Sequence, residues 1–162
     1  MKKNKVAIIM GSDSDLEIVR PAIEQLKELN IEFEVLIASA HRTPEVVAEF
    51  AKTAKQNNFA VIVAAASLAA HLAGSIAAHT TLPVIGIPVC SGALSGFDSL
   101  LSTVQMPPGV PVATVSINGA KNAAILAAQI IALSNSEIDA KLQEIKSAMK
   151  NSVAEKNKNL KL

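Results

Sequence analysis

The chain has 162 residues, half of them apolar, and a net charge of +1 from 15 basic and 14 acidic side chains of interspersed sign. This length suits a single domain with its own core, and the scattered charge argues against a nucleic-acid-binding surface. The longest apolar run, residues 59–66, is far shorter than the ~20 residues of a membrane helix, and the run at 6–10 is too short for a signal-peptide core. We therefore expect one cytoplasmic domain over residues 1–162, without a membrane partner and, with a single cysteine, without an internal disulfide.

Short apolar runs alternate with helical patterns along the chain. Strands are predicted at 6–10, 33–38, 60–66, 84–89 and 111–117, and helices from Leu16, from Thr43, and over 69–79, 95–104 and 121–134. Thr43 is the expected N-cap of the second helix, with Pro44 at its first position. Because the strands are continuously apolar, they indicate a parallel sheet covered on both faces. The predicted fold class is therefore α/β, a doubly wound three-layer α/β/α sandwich.

The C-terminal segment departs from this alternation of strands and helices. Ser136 and Asp139 resemble a capping box that would start a helix. Along this helix runs one apolar stripe of Ile138, Leu142, Ile145 and Met149. We expect a core over about 5–134, a C-terminal helix over about 136–150 that packs on another subunit, and a frayed tail over 151–162. Alanine-rich helices and the scarcity of large aromatic side chains also favour burial against further copies of the chain.

The loop after the first strand carries the first candidate site residues, since ligands of such a sheet bind at the carboxyl ends of its strands. This loop reads GSDSD, residues 11–15, and leads into a helix. Free N–H groups and the hydroxyls of Ser12 and Ser14 can hold an anion there, and Asp15 can accept from sugar hydroxyls. A simple helix cap would explain the same residues. The segment matches neither GxxxxGK[ST] nor GxGxxG, so ATP and dinucleotide binding lose support.

The loop after the second strand reads SAHRTP, residues 39–44. Its Ser39, His41 and Arg42 should point into the same crevice as the first loop. The planar guanidinium of Arg42 suits a phosphate, and His41 can exchange a proton near neutral pH. Singly, these could be ordinary surface residues. Their position beside a second anion-friendly loop favours the functional interpretation.

The remaining loops carry weaker signals. By spacing alone, His71 is expected to pack beside the site and not to be catalytic. Cys90 has no base partner at a fixed spacing, which argues against a nucleophile. The three histidines, His41, His71 and His79, show no recognised metal-ligand pattern, so no metal is expected.

Five segments together resemble the PurE family of purine biosynthesis. They are GSDSD at 11–15, SAHRTP at 39–44, AAHLAG at 69–74, ALSGFDSLLSTVQMPPGVPVAT at 93–114 and KNAAILAAQI at 121–130. They follow the family's order and spacing, and the similarity runs from about Val6 to about Leu142. The resemblance implies a flavodoxin-like fold, a homo-octamer with sites at subunit contacts, and no metal, nucleotide or organic cofactor.

The resemblance also implies a reaction. Bacterial-type members with SAHRTP and AAHLxG interconvert 5-(carboxyamino)imidazole ribonucleotide and 4-carboxy-5-aminoimidazole ribonucleotide. The carboxylate leaves an exocyclic nitrogen as carbon dioxide and is recaptured at a ring carbon inside the closed site. The expected partner is therefore a small nucleotide substrate.

Site residues carry over by position in these motifs. Arg42 matches the phosphate contact, Asp15 the ribose contact, and Ser12 a further substrate contact. His41 matches the residue that shuttles the proton between nitrogen and ring carbon, and His71 matches a histidine that lines the site. Further expected substrate contacts are Ser14, Ser39 and Ser67.

Two departures from the family pattern bear on this prediction. Many members have Gly-Gly and Pro where this chain has Ser67, Leu68 and Ala73, so the backbone of this loop is expected to be less permissive. Animal-type relatives, which carboxylate aminoimidazole ribonucleotide directly, have SAHKT and lack the histidine loop, so this chain sides with the mutases. Two alternatives stay open: a direct carboxylase with the same pocket, and a non-catalytic sensor of a phosphoribosyl ligand that would survive loss of His41.

Overall fold

One parallel sheet forms the centre of the molecule, and the computed structural model describes residues 5–160. Within these residues the strands are β1 (Lys5–Met10), β2 (Phe33–Ile37), β3 (Phe59–Ser67), β4 (Val84–Val89) and β5 (Ala113–Thr114). Their spatial order is β2-β1-β3-β4-β5, and each neighbouring pair is parallel. This is the strand order of flavodoxin-like proteins, and the predicted α/β fold class is confirmed.

Helices cover both faces of the sheet. They are α1 (Leu16–Glu28), α2 (Pro44–Thr53), α3 (Leu72–Ala77), α4 (Phe97–Val104), α5 (Ala120–Ala132) and α6 (Ser136–Lys158). Val6 and Ile8 of β1 belong to the core cluster shared with α1, α5 and α6, while Ala7 and Ile9 belong to the cluster shared with α2 and α3. No helix within residues 5–160 is both long and apolar enough to cross a membrane.

Small residues let the layers approach closely. The alanines of α5 at 120, 123, 124, 127 and 128 are fully buried within this single chain, where α5 packs against α1. On the other face, a Cβ at Gly86 of β4 would overlap the side chain of Thr103 in α4. The expectation that the alanine-rich helices bury against other copies is therefore wrong for α5, because its alanines fill a close contact inside the protomer.

The C-terminal helix α6 differs from its prediction in two respects. Its N-cap is Asn135, whose Oδ1 accepts from the backbone N–H groups of Glu137 and Ile138 at 3.1 and 3.2 Å. This Asn cap replaces the predicted capping box of Ser136 and Asp139. The helix also continues past the predicted end at 150 to Lys158, because the added residues contain no glycine or proline and include good helix formers.

The apolar stripe of α6 is divided between two environments. Ile138 and Leu142 are only 6 and 7 % exposed because they pack into the core of their own chain. Met149 is 56 % exposed, and the helix beyond it is solvent-accessible. The first half of the stripe therefore does not need another subunit, contrary to expectation. The predicted frayed tail is helical to Lys158, and residues 161–162 lie outside the described residues.

Strand β5 is shorter than the predicted 111–117. It pairs with β4 at Ala113 and Thr114 only. Pro111 precedes it without an N–H group to donate, and β5 lies at an edge of the sheet, so little holds a longer strand. After β5 the chain turns through Asn118, whose φ of 57° is left-handed, into α5.

Candidate active site

A cavity opens where the loops after β1, β2 and β3 meet. In the register of the sheet, Met10 pairs with Ile37 of β2 and with Ala65 of β3, so β1 and β2 end at one level, while β3 continues to Ser67. The cavity has a volume of about 280 Å³. Its lining includes every predicted site residue except Ser14: Ser12, Asp15, Ser39, His41, Arg42, Ser67 and His71. A crevice between β1 and its two neighbours is the expected ligand site of this strand order.

The loop after β1 separates the predicted residues into two groups. Asp13–Asp15 form one turn of 3-10 helix with Ser12 as its N-cap. Because this helix has three residues per turn, Ser12 and Asp15 share one side, and this side faces the cavity. Ser14 is rotated away and exposed. Ser14 therefore does not line this cavity, and its expected contact with the substrate stays a prediction.

The donors of this loop are partly used by the loop itself. The carboxylate of Asp13 accepts from the Ser12 hydroxyl and from the Ser14 backbone N–H, both at 3.1 Å. The expectation of free N–H groups for an anion is thus not met at Ser14. An anion that bound there would have to displace the carboxylate of Asp13.

Asp15 is a buried carboxylate on the cavity wall, only 4 % exposed. Burial raises the pKa of Asp15 above its ordinary value of 3.8, and the nearby Asp13 adds to this rise, whereas a hydrogen bond with the Ser12 backbone opposes it. A buried acid that lacks a cation partner costs stability. Perturbed carboxyl groups of this kind are concentrated at functional sites, which favours a binding role for Asp15.

Replacing Asp15 by Asn is expected to raise the melting temperature at neutral pH. Because the folded-state pKa of Asp15 is raised, its contribution to stability falls as the pH rises from about 4 through the folded-state pKa. The Asn variant lacks this loss, so its advantage should grow over this window and then level off. Thermal unfolding between pH 4 and 8 measures the effect, with the exposed Asp139→Asn as control. An Asp15→Asn variant that is less stable throughout would contradict the burial argument.

The loop after β2 is held in shape by Thr43. The Thr43 hydroxyl accepts from the Ser39 N–H at 2.9 Å and donates to the Ser39 carbonyl at 3.1 Å. Thr43 occupies the predicted N-cap position of α2, but its side chain makes no capping bond because these Ser39 contacts use it. The Ser39 hydroxyl in turn accepts from the backbone N–H of Arg42 at 3.2 Å. The loop is therefore internally ordered.

The guanidinium of Arg42 joins two loops of the cavity. Its Nη2 donates to the carbonyl of Gly11 at 2.9 Å, and its Nε lies 3.4 Å from the Ser39 hydroxyl. These contacts hold the planar group beside the loop after β1. The remaining N–H donors of the fork can then meet an anionic group of a ligand.

His41 and His71 are in direct contact. Nε2 of His41 lies 2.7 Å from Nδ1 of His71, with ring centroids 4.8 Å apart and ring planes at 70°. The sequence predicted that both residues lie near the site, but not that they share a hydrogen bond. Residues 30 positions apart in sequence give no signal for such a contact.

The loop after β3 contains an unusual backbone conformation. Leu68 has φ of +56°, which a residue with a side chain rarely adopts. Ser102 of α4 supports this loop, since its hydroxyl accepts from the N–H of Ala70 at 3.0 Å. The side chain of Leu68 lies close to Gly92 in the loop after β4. The loop thus keeps a left-handed residue despite the lack of glycine, and the support from Ser102 was not visible in the sequence.

Among residues 5–160, no three His, Cys, Asp or Glu side chains are grouped as a metal site would require. The fold and the cavity define a class: doubly wound α/β proteins with a cavity at the strand ends, lined here by an arginine, a buried carboxylate and two histidines.

Comparison with known proteins gives the family. The model of the AIR carboxylase family matches residues 5–152. The N5-carboxyaminoimidazole ribonucleotide mutase of Thermotoga maritima is 54% identical over 156 residues, which are 96% of this chain and 91% of that protein. The mutase of the same name from Bacillus subtilis is 52% identical over 157 residues, or 96% and 97% of the two chains. The chain belongs to the AIR carboxylase family, also known as the PurE family.

A solved structure agrees with this assignment. The crystal structure of Treponema denticola PurE superposes with a TM-score of 0.89 at 29% identity, and the match covers 98% of this chain and 99% of that one. The family resemblance expected from the five motifs is confirmed.

Proposed function

We propose that the protein is an N5-carboxyaminoimidazole ribonucleotide mutase of purine biosynthesis, an isomerase that forms 4-carboxy-5-aminoimidazole ribonucleotide. The substrate is the compound also called 5-(carboxyamino)imidazole ribonucleotide. The strongest support is that mutases with about 50% sequence identity match this chain over nearly its whole length. The cavity supports the proposal because it combines Arg42, Asp15 and His41, which suit a phosphate, a ribose and a proton transfer.

The proposed reaction needs two proton transfers that cancel. As the bond between the exocyclic nitrogen and the carboxylate carbon breaks, His41 gives a proton to the nitrogen and carbon dioxide forms. The ring carbon then bonds to carbon dioxide, and its C–H proton returns to His41. No net proton is consumed, so one histidine that is able to give and take a proton is sufficient.

We propose that residues of the loops after β1, β2 and β3 share the binding of the substrate. Arg42 contacts the phosphate and Asp15 the ribose, with Ser12, Ser39 and Ser67 as further polar contacts. His71 lines the same cavity. Ala40, Ala66 and Ala69 provide the apolar part of the wall, where a small neutral molecule such as carbon dioxide can stay between the two steps.

The direct test uses purified protein and substrate that is isotopically labelled in the migrating carboxylate, without ATP and with unlabelled bicarbonate present. The mutase should form labelled product at a rate that does not depend on bicarbonate. Loss of the label, with a rate that rises with bicarbonate, would contradict the mutase. Binding without turnover would instead indicate a ligand sensor.

A direct carboxylase is the second candidate, because the family description itself is AIR carboxylase. Such an enzyme would use aminoimidazole ribonucleotide and carbon dioxide from solution. The label experiment separates the two activities, since only the carboxylase needs external carbon dioxide.

We also propose that the protein assembles as a homo-octamer. In its support, one face of α4 and the loop before it exposes four large apolar side chains: Leu94, Phe97, Leu101 and Val104. An exposed apolar group of this kind is typical of an interface. Light scattering should give eight times the mass of the chain at micromolar concentration, and Phe97→Lys should lower that mass. A monomer would contradict the proposal.

The cytoplasmic location stays a prediction.

A further inference from the structure

The three histidines of the chain differ in how their side chains are held. His79 has a structural bond: its Nδ1 lies 2.9 Å from the carbonyl oxygen of Ser75, so this nitrogen carries a proton and donates. His71 is the residue before α3, but its side chain makes no capping hydrogen bond. Helix capping therefore does not explain why a histidine occupies position 71. The one hydrogen-bond partner of the His71 side chain among residues 5–160 is His41.

The contact between the two rings restricts how many protons they carry. At 2.7 Å, one nitrogen must donate and the other must accept. The pair can therefore be neutral or carry one additional proton. A second additional proton would place two N–H groups against each other, and the contact would break. In the paired state the two rings share at most one positive charge.

The other charged groups of the cavity act in opposite directions. The cationic Arg42 follows His41 in the chain and opposes a second positive charge, whereas the carboxyl of Asp15 lies in the wall of the same cavity. No further charged side chain lines this cavity among the described residues. The limit of one imidazolium is therefore set by the contact between the two rings and not by the neighbouring charges.

The contact also distinguishes the two nitrogens of His41. Nε2 is engaged by His71, while Nδ1 has no hydrogen-bond partner among residues 5–160. With the pair intact, Nδ1 is the nitrogen that can reach a substrate. The nitrogen on the other side of the ring then needs a fixed acceptor if the ring is to keep one orientation while its charge changes.

We propose that His71 is the positioning residue of His41: its Nδ1 accepts the Nε2–H of His41, which leaves Nδ1 of His41 as the nitrogen that exchanges the substrate proton. This proposal rests on the mutase function proposed above. His41 would give the proton on Nδ1 to the departing nitrogen and later take the ring-carbon proton on the same atom. The Nε2–H bond to His71 would persist throughout and would stabilise the imidazolium.

Variants of His71 test this role by kinetics. His71→Ala removes the acceptor and should lower kcat by about 10-fold or more with KM changed little, because it removes part of the ~100-fold or larger contribution of the proton-transfer group that His71 orients. His71→Asn should recover most of this loss because its Oδ1 can accept near the position of Nδ1. His79→Asn, the matched control, should behave as the unmodified protein.

The pH profile separates positioning from a merely structural role. Without its acceptor, the imidazolium of His41 is less stable, so the limb at which His41 loses its proton should move to lower pH in His71→Ala. A structural defect would lower the whole profile without moving that limb. An unmoved limb or an unchanged kcat in His71→Ala would overturn the proposal.

Imidazole nitrogen NMR tests the pairing without turnover. The neutral forms of both His41 and His71 should carry their proton on Nε2, and His71→Ala should alter the His41 signals while His79→Asn leaves them unchanged. A neutral His41 protonated on Nδ1 would overturn the assignment. If the unmodified protein lacks mutase turnover but shows this tautomer pattern, the proposed function fails and the pairing stands.

Discussion

Replacing His41 by Asn is expected to lower turnover by at least ~100-fold, the usual share of a positioned proton-transfer group, and to leave binding largely intact. An asparagine keeps a polar group of similar size in the loop but cannot exchange a proton at neutral pH. His41 is exposed at the cavity and its backbone is set by the Ser39–Thr43 hydrogen bonds, so the substitution should not disturb the loop.

Steady-state rates and calorimetric binding of the carboxylated product measure the two effects separately. His79→Asn serves as control, since that histidine is bonded at the end of α3 and lies outside the cavity. Near-normal turnover of the His41→Asn protein would remove His41 from the mechanism. Equal losses of turnover and binding would indicate a binding role instead.

Replacing Arg42 by Ala should weaken substrate binding by about 2 to 5 kcal/mol, the range for truncating one partner of a desolvated charge pair. This corresponds to roughly 30- to 5,000-fold in Kd. The guanidinium is already oriented by Gly11 and Ser39, so little ordering is needed when a phosphate binds. Arg42→Lys should give an intermediate loss because it keeps the charge without the planar fork.

Calorimetry with the nucleotide product tests this prediction. The matched control is Arg20→Ala, which changes the other arginine of the chain, an exposed residue of α1 paired with Glu17. Binding to the Arg20 variant should be unchanged. An unaltered Kd for Arg42→Ala would place the phosphate elsewhere.

Much of the fold could be predicted because its strands are short, continuous apolar runs. β1, β3 and β4 lie within a residue or so of their predicted bounds, since they are buried on both faces and their composition reflects this. Two other boundaries were harder to predict. Strand β5 is short because it lies at the edge of the sheet and follows Pro111. The C-terminal end of α6 depends on local helix propensity, which a weak apolar stripe does not reveal.

The site was predictable to the extent that topology alone determines it. The carboxyl ends of parallel strands meet at one edge, so placing Ser12, Ser39, His41 and Arg42 after strands placed them together. The orientation of individual side chains was not predictable. Ser14 is turned outward by a single turn of 3-10 helix, and the bond between His41 and His71 joins two loops whose separation depends on the complete sheet.

The position of the site beyond the carboxyl ends of three adjacent strands, β1, β2 and β3, couples the site to the cooperativity of folding. Each of the three strands supplies one wall, so releasing any of them, even the exposed edge strand β2, would dismantle the cavity. A ligand can then bind only the intact sheet. Its binding therefore raises the free energy that is needed to open any one of the three strands. At a hundred times its Kd a ligand contributes about 2.7 kcal/mol in this way. The cellular supply of substrate would thus protect the edge of the sheet from opening and from proteases.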